Sequence, residues 1–163
     1  MKQTISILII TVLFSCCGNS NEEKAVEHAK DVQTAIRAGA VATTVGGYTM
    51  KAKLDGKDWI AASMMQPYVA GRIVGYYNNG YIGLPYDKRD MVAGKKIMLG
   101  DDNAVDLLIN NGCLWKDMKG EMEITKVDDT SAEGKFFFTT ICSSSGKAVE
   151  VTDGFFRILF SEK

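Results

Sequence analysis

The amino-acid sequence predicts an all-β fold, an antiparallel β-sandwich or barrel of about ten short strands. After Gly47, apolar and polar residues alternate with a period of two, which is typical of strands with one buried face. Turn-forming residues recur between these alternating runs at short intervals. We therefore divide the chain into a leader (residues 1–15), a tether with a short helix (residues 16–47) and a β-domain (residues 48–163).

The leader has the composition of a cleaved secretion signal. Lys2 provides a positive start, and an apolar stretch of about ten residues follows it. This stretch is too short to span a bilayer as a helix, which takes roughly 20 apolar residues. It ends in Leu13-Phe14-Ser15-Cys16, which resembles the lipobox of bacterial lipoproteins. The resemblance implies that Cys16 carries a lipid anchor and becomes the first residue of the mature chain.

The lipobox resemblance also implies a location. Several acyl chains on Cys16 would hold the protein to a membrane far more firmly than one chain does. Cys17 stands where the inner-membrane retention signal has an aspartate, which favours the outer membrane, on its periplasmic or its surface side. Residues 22–24, Glu-Glu-Lys, are similar to the acidic surface-export signals of Bacteroidota lipoproteins. The alternative is a cleaved signal followed by an accidental cysteine.

The tether is predicted to contain one short helix. Asn21 is a candidate N-cap, and Glu22 and Glu23 place acidic groups in the first turn. Apolar residues then recur at helical spacing as far as a glycine stop at Gly39. The only histidine of the chain, His28, lies in this helix, which excludes a zinc site built from histidines. Residues 40–47 are predicted to be a flexible joint.

The β-domain begins with a predicted hairpin. Residues 48–54 alternate, and Asp55-Gly56 is a strong turn signal because glycine tolerates the positive φ of a primed turn. The return strand is predicted over residues 57–63, with Trp59 as a core residue.

A second hairpin is predicted over residues 72–77 and 81–86, with Asn79-Gly80 as its two-residue loop. In that register Tyr76 and Tyr81 share one sheet face. Exposed tyrosines on a sheet can stack on a sugar or a partner protein, so Tyr76 and Tyr81 are the candidate binding surface. The competing interpretation is cross-strand packing, with Tyr76 covering Gly83.

Six further strands are predicted in the second half of the chain. They cover residues 95–99, 105–109, 120–127, 134–142, 148–152 and 155–160. Trp115 and the run 136–138, three phenylalanines, are interpreted as core residues.

The strand motifs carry a family resemblance. Residues 120–125 (GEMEIT), 133–139 (EGKFFFT) and 149–155 (VEVTDGF) resemble the C-terminal signature of a family of Bacteroidota envelope lipoproteins of unknown function. In that family G-x-I-x-I-T, G-x-F-x-F-T and V-x-I-T-x-G-x-F strands follow one another. Residues 52–59 resemble its first hairpin, whereas residues 64–119 offer no matching motif. The resemblance implies a β-rich fold and an envelope location, and it implies no activity or catalytic residue.

Cys113 and Cys142 are the two cysteines of the β-domain, and we expect them to form a disulfide. Disulfides persist in exported proteins, which supports this pairing. The alternative is two reduced, buried cysteines that behave as small apolar residues.

The amino-acid composition excludes one class of function but does not identify the function of the chain. With 19 basic and 20 acidic residues, the chain lacks the positive excess of a nucleic-acid binder. Gly100-Asp101-Asp102-Asn103 and the acidic pair 128–129 are interpreted as turns, although the first segment also offers oxygen ligands for calcium and paired acids can hydrolyse glycosides. We expect a non-enzymatic module without cofactor or metal that binds a protein or glycan. The alternatives are an inhibitor or immunity protein and a carrier of a small apolar ligand.

Overall fold

Two antiparallel sheets pack face to face as a sandwich-like structure, which confirms the predicted all-β class. The computed structural model describes residues 39–44, 47–100, 105–109 and 113–160. The leader, Cys16 and the predicted tether helix lie outside these ranges.

Eleven strands, one helical turn and one 3₁₀ turn make up the described part of the chain. They are β1 (Ala40–Ala42), β2 (Thr49–Leu54), β3 (Lys57–Ile60), β4 (Ser63–Met65), α1 (Pro67–Ala70), β5 (Arg72–Tyr77), β6 (Gly80–Pro85), the 3₁₀ turn (Lys88–Asp90), β7 (Lys96–Leu99), β8 (Asp106–Leu108), β9 (Trp115–Val127), β10 (Ser131–Cys142) and β11 (Ala148–Leu159). The five-stranded sheet has the order β1-β4-β5-β6-β8, and the six-stranded sheet has the order β3-β2-β11-β10-β9-β7.

The first predicted hairpin forms as expected, as β2 and β3. Asp55 and Gly56 both have positive φ, 49° and 77°, and the flanking residues Leu54 and Lys57 pair with each other. This is the primed two-residue turn that the Asp-Gly sequence predicts.

The predicted return strand of that hairpin is too long at its far end. β3 stops at Ile60, and the chain then crosses to the other sheet at Ala61 and Ala62, both of which are buried. The Ala61 N–H donates to the Met50 carbonyl (2.9 Å) in the first sheet, and the Ala62 N–H donates to the Tyr76 carbonyl (2.7 Å) in the second. Two methyl side chains fit this tight corner, and a larger pair would have to displace the core.

The second predicted hairpin forms with a different loop. Asn78 and Asn79, with φ of 46° and 54°, are the loop residues, and Tyr76 pairs directly with Tyr81. The prediction of Asn79-Gly80 as the loop is therefore wrong. The observed loop can form because asparagine, which occupies both of its positions, tolerates left-handed backbone. The change moves the pairing by two residues, so every side chain keeps its predicted face.

Residues 40–42 form strand β1 rather than part of a flexible joint. Ala40 pairs with Met65 and Ala42 with Ser63, so this strand lies inside the range assigned to the tether. The Thr43 hydroxyl donates to the Ala61 carbonyl (2.9 Å), which fixes the end of the strand. An Ala-Val-Ala segment has too little contrast between its side chains for the alternation to be visible in the sequence.

The last two predicted strands are one strand, β11, interrupted by a β-bulge. The register shifts between Thr152 and Phe155 against β2, and it shifts at the same place against β10. Asp153 has a φ of 51° and is the extra residue. A bulge accommodates the Asp-Gly pair without ending the strand, which is why the predicted break is absent.

Aromatic rings fill the core where glycines lie across from them. The three cross-strand pairs are Gly120 with Phe138, Gly134 with Phe156, and Gly154 with Phe136. A Cβ added to any of these glycines would lie 2.6 Å or less from its partner's side chain. The Phe156 and Phe136 rings therefore occupy the space left by the missing side chains of Gly134 and Gly154, an arrangement known to stabilise glycines in sheets, whereas Gly120 is covered by the Phe137 carbonyl and the Cα and Cβ of Phe138.

The β9–β10 turn is held by the Asp128 carboxylate, at the place where the acidic run predicts a turn. This carboxylate accepts from the backbone N–H groups of Thr130 (2.9 Å) and Ser131 (2.8 Å), and also from both hydroxyls. These donors hold the pKa of Asp128 well below its usual value, because they stabilise the charged form.

Candidate functional site

The two domain cysteines are joined, as the sequence predicts. Cys113 and Cys142 form a disulfide with their Cα atoms 5.6 Å apart. The bridge links the segment just before β9 to the last residue of β10, and Cys142 is buried. Its position across two neighbouring strands indicates a structural role.

Tyr76 and Tyr81 lie side by side on the outer face of the five-stranded sheet. Their ring centroids are 5.9 Å apart, at an interplanar angle of 58°, and both residues are half-buried. Burial raises the pKa of Tyr76, with a smaller contribution from Tyr81. The rings contact each other, so part of the surface offered to a ligand is already used.

Gly83 is not covered by Tyr76, and that expectation is wrong. The Arg72 side chain and Asp106 lie over this glycine instead, with the Arg72 Nε 2.8 Å from the Asp106 carboxylate. The corrected hairpin register is the reason, because it places Val74 rather than Tyr76 opposite Gly83.

A small pocket lies at one end of the sandwich. It has a volume of about 210 Å³ and is bounded by Trp59, Tyr77 and the apolar side chains of β8. Trp59 and Tyr77 meet edge to face, with centroids 6.5 Å apart. Pockets for drug-sized ligands usually have volumes of about 300 to 1,000 Å³, so this one is small for such a role.

The outer face of the six-stranded sheet carries a different set of side chains. The register places one residue from each strand in a single row across the sheet. In spatial order the row is Ile60, Lys51, Phe155, Lys135, Glu123 and Lys96. Apolar and charged groups alternate from Ile60 to Lys135, and the remaining two positions, Glu123 and Lys96, are charged.

Phe137 lies one step further along the same face and is 54% exposed. The interpretation of residues 136–138 as three core residues is wrong at this position. Phe136 and Phe138 are buried, at 2% and 0% exposure, whereas strand alternation directs Phe137 outward. The period of two, applied strictly to β10, would have identified the exposed ring.

A shallow groove crosses the outer face between the exposed Phe137 ring and the half-buried Phe155 ring. It consists of two adjoining hollows of about 370 and 400 Å³ that share Lys135, Asp153 and Gly154. Phe137 borders the first hollow, and Lys51 and Phe155 border the second. The bulge at Asp153 lies between them. We call this feature the aromatic groove and define it by Lys51, Lys135, Phe137, Asp153 and Phe155.

Ion pairs neutralise part of the charge around the aromatic groove. Lys53 contacts Asp153 at 2.8 Å, and Lys96 contacts Glu121 at 3.0 Å. The hydrogen bond to Asp153 raises the pKa of Lys53, as the bond to Glu121 raises that of Lys96. Lys51 instead places its Nζ 5.7 Å from the centroid of the Phe155 ring.

The aromatic groove combines ring faces with hydrogen-bond donors and acceptors. Ring faces pack against C–H groups, while ammonium and carboxylate groups bind hydroxyls or charges. Within the described ranges, no group of three or more His, Cys, Asp or Glu side chains is arranged to hold a metal ion. The same part of the chain contains no helix long and apolar enough to cross a membrane.

The weak calcium candidate at residues 101–103 and the single histidine, His28, both lie outside the described residues. Cys16 lies outside them as well. Comparison of the chain with protein-family models, curated proteins and solved structures found no match.

Proposed function

We propose that this chain is a non-enzymatic lipoprotein of the outer membrane that binds a glycan through the aromatic groove. The observation that carries the proposal is the exposure of Phe137, 54% open on the outer face of the larger sheet. An exposed ring beside ammonium and carboxylate groups suits a sugar, because a sugar presents C–H groups on one face and hydroxyls around its rim.

The other candidate functions have less support. The pocket at the end of the sandwich is smaller than the usual range for a ligand carrier, at about 210 Å³. An inhibitor that adds a strand to an enzyme needs an open sheet edge. The edge strands β3 and β7 of the six-stranded sheet are four residues long and carry Lys57 and Lys96. The edge strands β1 and β8 of the five-stranded sheet are only three residues long, and edges as short as these discourage strand addition. The Tyr76 and Tyr81 pair remains a second predicted contact surface.

The lipid anchor is tested by replacing its cysteine. We expect Cys16→Ala to abolish incorporation of labelled palmitate and to release the protein from membranes, because no other residue of the lipobox offers the required thiol. Cys17→Ala is the matched control and should leave labelling unchanged. Palmitate incorporation into the Cys16→Ala chain would contradict the anchor assignment.

Glycan binding is tested by truncating the exposed ring. We expect the full chain in detergent to bind at least one polysaccharide on an array of neutral and acidic glycans, and Phe137→Ala to weaken that binding about tenfold. Tenfold corresponds to about 1.4 kcal/mol, which is close to the value of one aromatic contact. The measurement is a titration against the polysaccharide identified on the array.

Met98→Ala is the control for this titration. Met98 is 68% exposed on the same face, but it lies on the edge strand β7 outside the aromatic groove. Binding should survive this change. An array without any bound glycan, or equal losses from both variants, would count against the proposed function.

A further inference from the structure

We infer that the ligand of the aromatic groove is an acidic glycan, and that Lys51, Phe155 and Lys135 together bind a sugar that carries a carboxylate. This inference rests on the proposed function and adds the chemical class of the ligand. Its basis is the way in which three residues, distant in sequence, meet in one row of the sheet.

The strand register places the ring between two lysines. Phe155 on β11 pairs with Lys51 on β2 on one side and with Lys135 on β10 on the other. Neighbouring strands lie about 4.8 Å apart, so the Cα atoms of the two lysines are roughly 10 Å apart with the ring between them. This width suits one sugar ring lying on Phe155 with a lysine at either end.

The two lysines are the cations that border the hollows of the aromatic groove, and among the described residues neither has a carboxylate partner. Lys53, Lys96 and Arg157 each form an ion pair, with Asp153, Glu121 and Glu133 respectively. In the described part of the chain, neither Lys51 nor Lys135 lies within ion-pair distance of an acid, and both are exposed. The Lys51 ammonium group lies over the Phe155 ring, with its Nζ 5.7 Å from the ring centroid.

The surrounding acids leave this position positive. Asp153 borders the same hollow, but its charge is balanced by Lys53 at 2.8 Å. Glu123 lies across from Lys135 in the register and borders the adjoining hollow. Among the side chains that line the two hollows, two unpaired ammonium groups therefore face one unpaired carboxylate, and this excess of positive charge is complementary to an anion.

The ring decides which kind of anion fits. A free phosphate or a lipid headgroup would use the ammonium groups and leave the Phe155 face without a partner. A uronic acid contacts both the ring and the ammonium groups, because its pyranose C–H groups pack on the ring while its carboxylate accepts hydrogen bonds from an ammonium group. The remaining hydroxyls lie within reach of Glu123 and of the adjoining hollow.

The test compares one polysaccharide with and without its charge. Polygalacturonate and its full methyl ester have the same backbone, and only the first carries carboxylates. We expect the full chain in detergent to bind polygalacturonate at least tenfold more tightly than the ester. The double variant Lys51→Gln with Lys135→Gln should lose this preference. The control variant Lys57→Gln with Lys126→Gln also removes two positive charges, but from exposed positions outside the groove, and it should keep the preference for polygalacturonate.

The outcomes separate this inference from the proposed function. One outcome is that the chain binds the acid and the ester equally, with a loss in Phe137→Ala but none in the double lysine variant. That result would overturn the inference that the ligand is acidic, and it would support glycan binding. Lysine-dependent binding to phosphatidylglycerol vesicles, without binding to polygalacturonate, would assign the site to lipid headgroups. Absence of binding to both polysaccharides and to every array glycan would overturn both proposals. Circular dichroism of each variant confirms that it is folded.

Discussion

Replacing Gly134 with alanine is expected to lower the free energy of unfolding by about 3 kcal/mol, near the top of the usual range for overpacking a core. The new Cβ would lie 2.4 Å from the Phe156 ring and 2.7 Å from the Glu123 carbonyl. Phe156 is fully buried and the carbonyl belongs to the neighbouring strand, so neither group has space to move away. Urea denaturation followed by circular dichroism measures the change.

Gly100→Ala is the control for that substitution. Among the described residues, a Cβ at Gly100 would meet the Met118 carbonyl alone, at 3.4 Å, so we expect a loss of stability well below 1 kcal/mol. Combining Gly134→Ala with Phe156→Leu should recover part of the lost stability, because the smaller side chain makes room for the added methyl group. A Gly134→Ala chain as stable as the parent would show that the ring and the glycine do not share this space.

Removing the disulfide is expected to cost about 3 to 4 kcal/mol. The bridge joins residues 29 apart in sequence, and the chain-entropy model assigns a stabilisation of that size to a loop of about 30 residues. The double variant Cys113→Ala with Cys142→Ala should therefore unfold at a clearly lower urea concentration. Alanine keeps both positions apolar, which limits the loss of packing around the buried Cys142.

Mass spectrometry under non-reducing conditions provides the control for that prediction. The parent chain should resist alkylation at Cys113 and Cys142 until a reductant is added. If both thiols react freely in the folded protein, or if the double variant matches the parent in stability, the bridge does not contribute to the fold. Reduction of the parent chain should reproduce the stability of the double variant.

The fold class was predictable because its signals are local. Alternation and the Asp55-Gly56 turn each depend on a few consecutive residues, and these elements form where the sequence predicts them. The register of the second hairpin was less predictable, because Asn79-Gly80 is a stronger turn signal on its own than Asn78-Asn79. Pairing across the whole sheet, which the turn sequence does not contain, selects between the two loops.

The candidate site was harder to predict because its residues meet only in the folded sheet. Lys51 and Phe155 are neighbours through the pairing of β2 with β11, two strands from opposite ends of the domain. No local pattern connects such distant positions. Phe137 is different, since the alternation of β10 places it on the outer face between Phe136 and Phe138. Because residues 136–138 are all phenylalanine, the sequence shows no difference between the inward and the outward positions of this run.

The extra residue in β11, Asp153, changes which residue numbers of the strand face the core. Before it, the inward positions are odd-numbered, Val149 and Val151, and after it they are even-numbered, Phe156 and Ile158. Deleting Asp153 would join the two halves into one regular strand, because Val151, Gly154 and Phe156 would then alternate without interruption and Phe155 would stay outward. A single codon lost at this point would therefore straighten the final strand and leave its inside and its outside unchanged.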